Sequence, residues 1–305
     1  MAWIPLRDGE KLHVISVGRG SPVVLLHGFG SRGMHWLPNI LPLAHRYRFY
    51  LPDLRGFGNS HNTDLNNRDV FQTYADDVQD LLDHFQLDRV ILGGLSTGAF
   101  ACLNYHAVHG FSRVRSYLNI EHVGDSLHSE YGSTGLFGKR QPEIFARFRE
   151  TLNVIEQAGE ETPYWDLPEE VRTYLRDQMV YIFRQAFNRR WNRFAVSAGG
   201  QFGERLLTQI LMPIDRWSTY VQILRAFMAG RNIWPSLPHI TVPTTLMTGR
   251  HSRYFDLEGH EAMLELIPRA QLVIFEHSGH VPMADEPLRF QQEFTRFLLE
   301  SEDEP

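Results

Sequence analysis

Apolar positions along the chain follow two rhythms. Residues 11–17 alternate apolar and polar, the period-two pattern of a half-buried strand, and Gly18-Arg19-Gly20 stops them. Pro22-Val23-Val24-Leu25-Leu26 is instead continuously apolar, which suits a central parallel strand buried on both faces. The same signals predict strands at Arg48–Pro52, Arg89–Leu92, Val114–Ile120, Thr244–Thr248 and Gln271–Phe275. Helices are predicted between them, at Trp36–Leu43, Val70–Phe85, Glu258–Ile267 and Pro287–Leu299. The second carries Tyr74, Val78, Leu81, Leu82 and Phe85 on one face. Strands alternating with helices at this spacing imply right-handed crossovers and a mostly parallel central sheet flanked by helices.

The rhythm breaks from 123 to 235. That stretch is rich in arginine and aromatics and reads as helical pieces, at Pro142–Ala158, Pro168–Phe187 and Arg216–Met228. The expected organisation is a core of residues 1–122 and 236–305, split by a helical insertion at 123–235. Such insertions tend to overhang a site. Its aromatics, Trp165, Phe183, Phe187, Trp191, Phe194 and Trp217, are read as its own core plus the roof of an apolar pocket. Arg184, Arg189, Arg190 and Arg193 read as a solvated helix face, with a dock for an anionic substrate or an acyl carrier as the sharper alternative.

Composition narrows the function classes. The chain has 305 residues, 43% hydrophobic and 22% charged, enough for a large core plus an accessory lobe. A formal net charge of −6 gives no basic field, so nucleic acid is not an expected partner. The single cysteine, Cys102, excludes an intramolecular disulfide framework and fits a reducing compartment. Its expected place is as a small core residue on a helix. The N-terminal residues lack a signal-peptide pattern, and no apolar run reaches bilayer length. The expectation is a cytoplasmic protein without stable membrane insertion. No dinucleotide fingerprint or metal-ligand spacing occurs, so neither a cofactor nor a metal is expected.

One stretch carries chemistry. Gly94-Leu95-Ser96-Thr97-Gly98 follows the apolar run at 89–92 and precedes Ala99-Phe100-Ala101-Cys102-Leu103. A Gly-x-Ser-x-Gly pentapeptide in strand–turn–helix context is a nucleophile elbow. The plain alternative is a glycine-rich loop holding an ordinary serine. A serine hydroxyl needs a base and donors for the oxyanion it creates. His280, in the loop after the last strand, is the candidate base among 15 histidines; a surface loop histidine is the alternative. The candidate oxyanion donors are the backbone N–H groups of Phe29 and Thr97. His27 and Asp53 read as structural loop residues, and Arg55 as a tie between loops.

Four motifs now stand in order: His27-Gly28-Phe29-Gly30, Asp53-Leu54-Arg55-Gly56-Phe57-Gly58-Asn59-Ser60, the elbow, and Gly279-His280 with Glu286-Pro287 downstream. Together they resemble the α/β-hydrolase fold superfamily over nearly the whole core, in the form of a capped serine esterase or lactonase. The resemblance implies the α/β-hydrolase fold with a helical cap (lid) inserted after strand 6. It also implies a catalytic triad, whose acid commonly stands three residues after a glycine at the end of strand 7. Here that stretch is Gly249-Arg250-His251-Ser252, and a serine cannot supply the charge that stabilises an imidazolium. Some relatives take the acid from the end of strand 6, a position that matches Glu121. A buried carboxylate there needs a partner, and His280 is the expected one; a salt bridge to an arginine or to His122 is the alternative. Asp256 and Asp125 are the reserve acids, with a helix N-cap as the plain reading of Asp256.

The expected function is a cofactor-independent serine hydrolase cleaving a carboxylic ester, lactone or thioester, with a small-molecule substrate whose acyl part is apolar. Two alternatives remain open: C–C bond hydrolysis or acyl transfer on the same elbow, and a non-catalytic small-molecule receptor on a hydrolase scaffold.

Overall fold

The computed structural model describes residues 1–66, 68–131, 134–205 and 217–302. Eight strands form one sheet: β1 (Ala2–Pro5), β2 (Lys11–Gly18), β3 (Ser21–Leu26), β4 (Tyr47–Pro52), β5 (Val90–Leu95), β6 (Val114–Ile120), β7 (Thr244–Gly249) and β8 (Ala270–Phe275). Their spatial order is β1-β2-β4-β3-β5-β6-β7-β8. The β1–β2 and β2–β4 pairs are antiparallel and the remaining pairs parallel.

The continuous apolar run of β3 has the expected cause. β3 lies between β4 and β5, and Val23 to Leu26 are all fully buried. Val24 and Leu26 belong to the core on one face of the sheet, and Val23 and Leu25 to the core on the other. Each face needs its own helical cover. One comes from α2 (Val70–His84) and α3 (Thr97–His109), which pack against each other, with Tyr74, Val78, Leu81 and Leu82 buried. Cys102 is buried on α3. The opposite core includes Phe290, Phe294, Phe297 and Leu298 of α10 (Pro287–Glu302), whose predicted range differs by a few terminal residues.

Other elements depart from expectation. β1 was too short for the period-two signal. The region 33–43 is not one helix but a single turn, α1 (Leu37–Ile40), between two 3-10 turns at Gly33–Trp36 and Leu41–Leu43. Pro38 and Pro42 remove N–H donors and block a continuous ladder there.

Between β6 and β7 the described residues form helices and no strand: α4 (Gln141–Ala158), α5 (Glu169–Gln185), α6 (Arg190–Phe202) and α7 (Trp217–Ala229). Arg216, where the last of these was predicted to begin, lies outside the described residues. The α6 helix was not foreseen, because Gly199-Gly200 argues against a helix interior. Tertiary contacts override that cost. α6 packs on α5, and the buried Asp285 carboxylate accepts the Asn188 and Arg189 N–H groups and the Asn192 amide at the start of α6. After β7 follow α8 (Leu257–Leu266) and the single turn α9 (Pro282–Asp285). Among the described residues no helix is long and apolar enough to cross a membrane.

The loops at the strand ends are locked by polar groups. Arg55, 1% exposed, binds Asp77 at 2.7 Å and Asp8 at 2.7 Å, and donates to the Asp64 carbonyl at 2.5 Å. These bonds hold the guanidinium charged against the cost of burial. Removing a buried charge leaves its partners unpaired. Arg55→Met is therefore expected to lose about 3–5 kcal/mol of stability, read as a lower urea midpoint. A change within about 0.5 kcal/mol would contradict this role.

Candidate active site

The strand–turn–helix around Ser96 is built as the spacing predicts. Ser96 follows β5 and caps α3 with φ 53° and ψ −119°, a conformation that costs a non-glycine residue about 1–3 kcal/mol. The sheet holds it there: the Ser96 N–H donates to the Ile120 carbonyl at 2.8 Å, and the Ser96 carbonyl accepts from Phe100 at 2.9 Å. The flanking glycines are required by close approach. A Cβ on Gly94 would lie 2.3 Å from the Gly98 carbonyl carbon, and one on Gly98 would lie 2.4 Å from the Leu26 carbonyl oxygen. Thr97 opens α3, so its N–H has no acceptor within the helix. The loop after β3 brings Gly28 against Ser96: a Cβ on Gly28 would sit 3.4 Å from the Ser96 Cβ. Phe29 follows directly.

That loop is fixed by His27. Its Nδ1 lies 2.8 Å from the Gly28 carbonyl, and its Nε2 accepts the Leu54 N–H at 2.9 Å. The proton must therefore be on Nδ1. Burial pushes its pKa down to about 4, so His27 stays neutral near pH 7. Asp53 accepts from the Gly33 N–H (2.6 Å), the Asn59 N–H (2.9 Å) and His13 Nδ1 (2.9 Å). Both residues are structural ties between loops, as read from the sequence.

Glu121 and His280 are brought together. His280 Nδ1 donates to Glu121 Oε2 at 2.8 Å, with both residues buried. Glu121 directly follows β6 with φ 59°, and its N–H donates to the Met247 carbonyl of β7 at 2.9 Å. Its carboxylate has three further donors: Thr248 Oγ1 at 2.8 Å and the Gly249 N–H at 2.6 Å on Oε1, and Ser252 Oγ at 2.7 Å on Oε2. Burial pushes this carboxyl up. The hydrogen bond and charge of His280, with smaller help from His260 and the Gly249 N–H, outweigh it and hold Glu121 below the usual 4.5. The imidazole of His280 also stacks on Tyr254, with ring centroids 4.1 Å apart and planes within 12°. With Nδ1 committed to Glu121, Nε2 is the ring nitrogen left for the cavity.

The reserve acids lie elsewhere. Asp125 accepts the Leu127 and Arg231 N–H groups, each at 3.0 Å. Asp256 stands at the N-cap position of α8, but its side chain makes no capping bond, so the plain reading fails in detail. Its carboxyl instead lies against Gly138. Neither is hydrogen-bonded to His280. In the sequence Ser252 stands only as a missing acid, and nothing there marks Thr248 or Tyr254 as part of the site. The hydroxyl at 252 was the available signal, since a donor there suits a carboxylate arriving from the neighbouring strand. Tyr254 carried no signal in the sequence.

Ser96, Thr97, Phe29 and His280 line one cavity of about 330 Å³, whose walls are mostly apolar. Helices α4, α5 and α7 supply much of the lining, including Phe148, Met179, Phe183, Trp217 and Leu224. The roof reading thus holds for Phe183, Phe187 and Trp217. It is corrected for Trp165, Trp191 and Phe194, which are 38%, 80% and 63% exposed and do not line the cavity. They lie on the outer side of their elements, a distinction that helical spacing alone did not make. Arg184, Arg189 and Arg190 are exposed and Arg193 half-buried; none lines the cavity. His122 does line it, with Nδ1 2.7 Å from the Val123 carbonyl, and burial pushes its pKa down to about 3.

Comparison with known proteins agrees with this architecture. The family model described as the alpha/beta hydrolase family matches residues 23–292. A 2-hydroxymuconate semialdehyde hydrolase from Pseudomonas sp. (strain CF600) is 25% identical over 299 residues, covering 96% of this chain and 92% of that protein. A non-heme chloroperoxidase from Kitasatospora aureofaciens is 35% identical over 111 residues, only 36% of this chain and 40% of that protein. Among solved structures, an esterase from Exiguobacterium antarcticum superposes with a TM-score of 0.72 at 24% identity, over 97% of this chain and 98% of that one.

Because the folded state holds Glu121 below its ordinary pKa, its ionised form favours folding. Relative to Glu121→Gln, the wild type should carry extra stability well above pH 4.5 and lose that margin as pH falls through the depressed value. Urea unfolding across the acid range measures the margin. One that is flat with pH, or grows on acidification, contradicts the assignment.

Proposed function

The chain belongs to the alpha/beta hydrolase family, and from that membership we propose that it is a serine hydrolase that cleaves a carboxylic ester, lactone or thioester through an acyl-enzyme on Ser96. The observation that carries this reading is the buried Glu121–His280 hydrogen bond at 2.8 Å, with His280 and a strained Ser96 lining the same apolar cavity. In this mechanism His280 Nε2 takes the Ser96 hydroxyl proton as Oγ attacks the carbonyl carbon. The oxyanion receives the N–H groups of Phe29 and Thr97. Collapse expels the alcohol or thiol, which takes the proton from His280. Water then repeats the attack on the acyl-enzyme, giving up its proton to His280, and Ser96 is restored as the acid product leaves. Glu121 keeps the proton on Nδ1 and stabilises the imidazolium formed in each half-reaction.

The second reading, C–C bond cleavage on the same elbow, is favoured by the full-length likeness to the 2-hydroxymuconate semialdehyde hydrolase. It uses the same serine, so the substrate panel decides between the two. The substrate is a small molecule with an apolar acyl part, in keeping with the cavity walls.

Short-chain nitrophenyl esters should be turned over by the wild type. Ser96→Ala should lose at least about a thousandfold in kcat, and Glu121→Gln about a hundredfold or more. Asp256→Asn should stay within about twofold of wild type. Loss in Asp256→Asn with activity retained in Glu121→Gln overturns the triad. No turnover of esters, lactones or thioesters, together with a ligand-dependent melting shift, supports a receptor instead.

A further inference from the structure

Polar side chains line the cavity in two groups. One surrounds Ser96. The other lies on α4 and α5: Arg147 and Thr151 of α4, and Gln178 of α5. The other cavity-lining residues of α4 and α5 are apolar. Acyl transfer at Ser96 has no use for Arg147, yet its guanidinium is held in place. Nη1 donates to Gln178 Oε1 at 3.2 Å, and the head lies 4.3 Å from the Tyr181 ring centroid. Its ion-pair partner among the described residues is Glu143, 4.0 Å from Nε. Glu143 also takes Arg140 at 3.4 Å and the Tyr181 hydroxyl at 3.1 Å. Two arginines thus share the Glu143 carboxylate.

The donor balance is as informative as the charge. Arginine only donates, so Gln178 must turn its carbonyl to Arg147, which leaves the Gln178 NH2 as a donor. The Thr151 hydroxyl donates to the Arg147 carbonyl at 2.9 Å. Of the five guanidinium donors, the Gln178 bond engages one among the described residues. A cationic, donor-rich site in an otherwise apolar wall is matched by a planar anion with acceptors only. The Arg147 side chain is 40% exposed, so such an anion keeps part of its hydration and escapes the cost of a dry ion pair.

We propose that Arg147 and Gln178 form a carboxylate subsite, and that the preferred acyl part is an apolar chain ending in a carboxylate. The chain fills the cavity past Phe148 and Met179, with its ester carbon at Ser96 and its anionic end on Arg147. This rests on the ester-hydrolase reading, and the test separates the two.

Mono-4-nitrophenyl esters of adipic and suberic acid are compared with 4-nitrophenyl hexanoate and octanoate, on wild type, Arg147→Met and Gln178→Leu. Circular dichroism checks that each variant is folded. The carboxylate esters should have kcat/KM about tenfold above their neutral partners, mainly through KM. Arg147→Met should erase that preference, and Gln178→Leu should weaken it. Neutral chains equal or better on wild type, or a preference that survives Arg147→Met, overturns the proposal. A second readout needs no turnover: suberate should raise the melting temperature of Ser96→Ala more than octanoate, and not that of Ser96→Ala/Arg147→Met. Suberate stabilisation through Arg147 without ester cleavage keeps the subsite and removes the esterase reading. Ester cleavage with neither carboxylate preference nor suberate effect does the reverse.

Discussion

The site depends on one buried contact, the hydrogen bond from His280 Nδ1 to the Glu121 carboxylate. A carboxylate taken out of water is costly unless donors replace the water. Here four donors do so, and they come from three different places: the end of β7, the loop after it, and the loop after β8. None of these is a neighbour of Glu121 in sequence. The contact therefore exists only when β6, β7 and β8 are in register, and it couples correct assembly of that half of the sheet to the ionisation of one group. It also settles the tautomer of His280, since a carboxylate acceptor requires the proton on Nδ1.

Parallel strand order brings the chemistry to one place. β3, β5, β6, β7 and β8 run the same way, so the loops that follow them emerge at one edge. Phe29, Ser96, Glu121, Ser252 and His280 come from those loops or begin the helix after one. The helices between β6 and β7 then close an apolar volume over that edge. The same arrangement joins the overhanging helices to the base: Asp285 accepts both the Gly279 N–H at 2.9 Å and the N–H groups that open α6. A Cβ on Gly279 would lie 2.7 Å from the Ala186 carbonyl, so the loop carrying His280 and the chain entering α6 pack backbone to backbone.

Much of this was legible in the residues. Strands buried on both faces announce themselves as unbroken apolar runs, and β3 and β6 appeared within a residue of their predicted ends. The elbow was legible because its glycines answer close contacts that no side chain survives. Glu121 was legible through a resemblance, the acid that some relatives carry at the end of strand 6, joined to the need of a buried carboxylate for a partner. What stayed hidden lacks a periodic or local signature. Tyr254 meets His280 only through the fold, and the N-terminus of α6 is capped by a carboxylate roughly a hundred residues away in sequence. The outward turn of Trp191 and Phe194 likewise depends on how α6 lies against α5, which composition does not specify.

Ser252 limits what its own position can hold. Its hydroxyl touches the same Glu121 oxygen that His280 uses, so an aspartate side chain at 252 would reach toward the same imidazole. Two carboxyls sharing that space raise one another's pKa, so one of them would keep its proton to a higher pH than Glu121 does alone. In this chain the negative charge behind His280 arrives from the end of β6, and position 252 contributes a donor to it instead of a second charge.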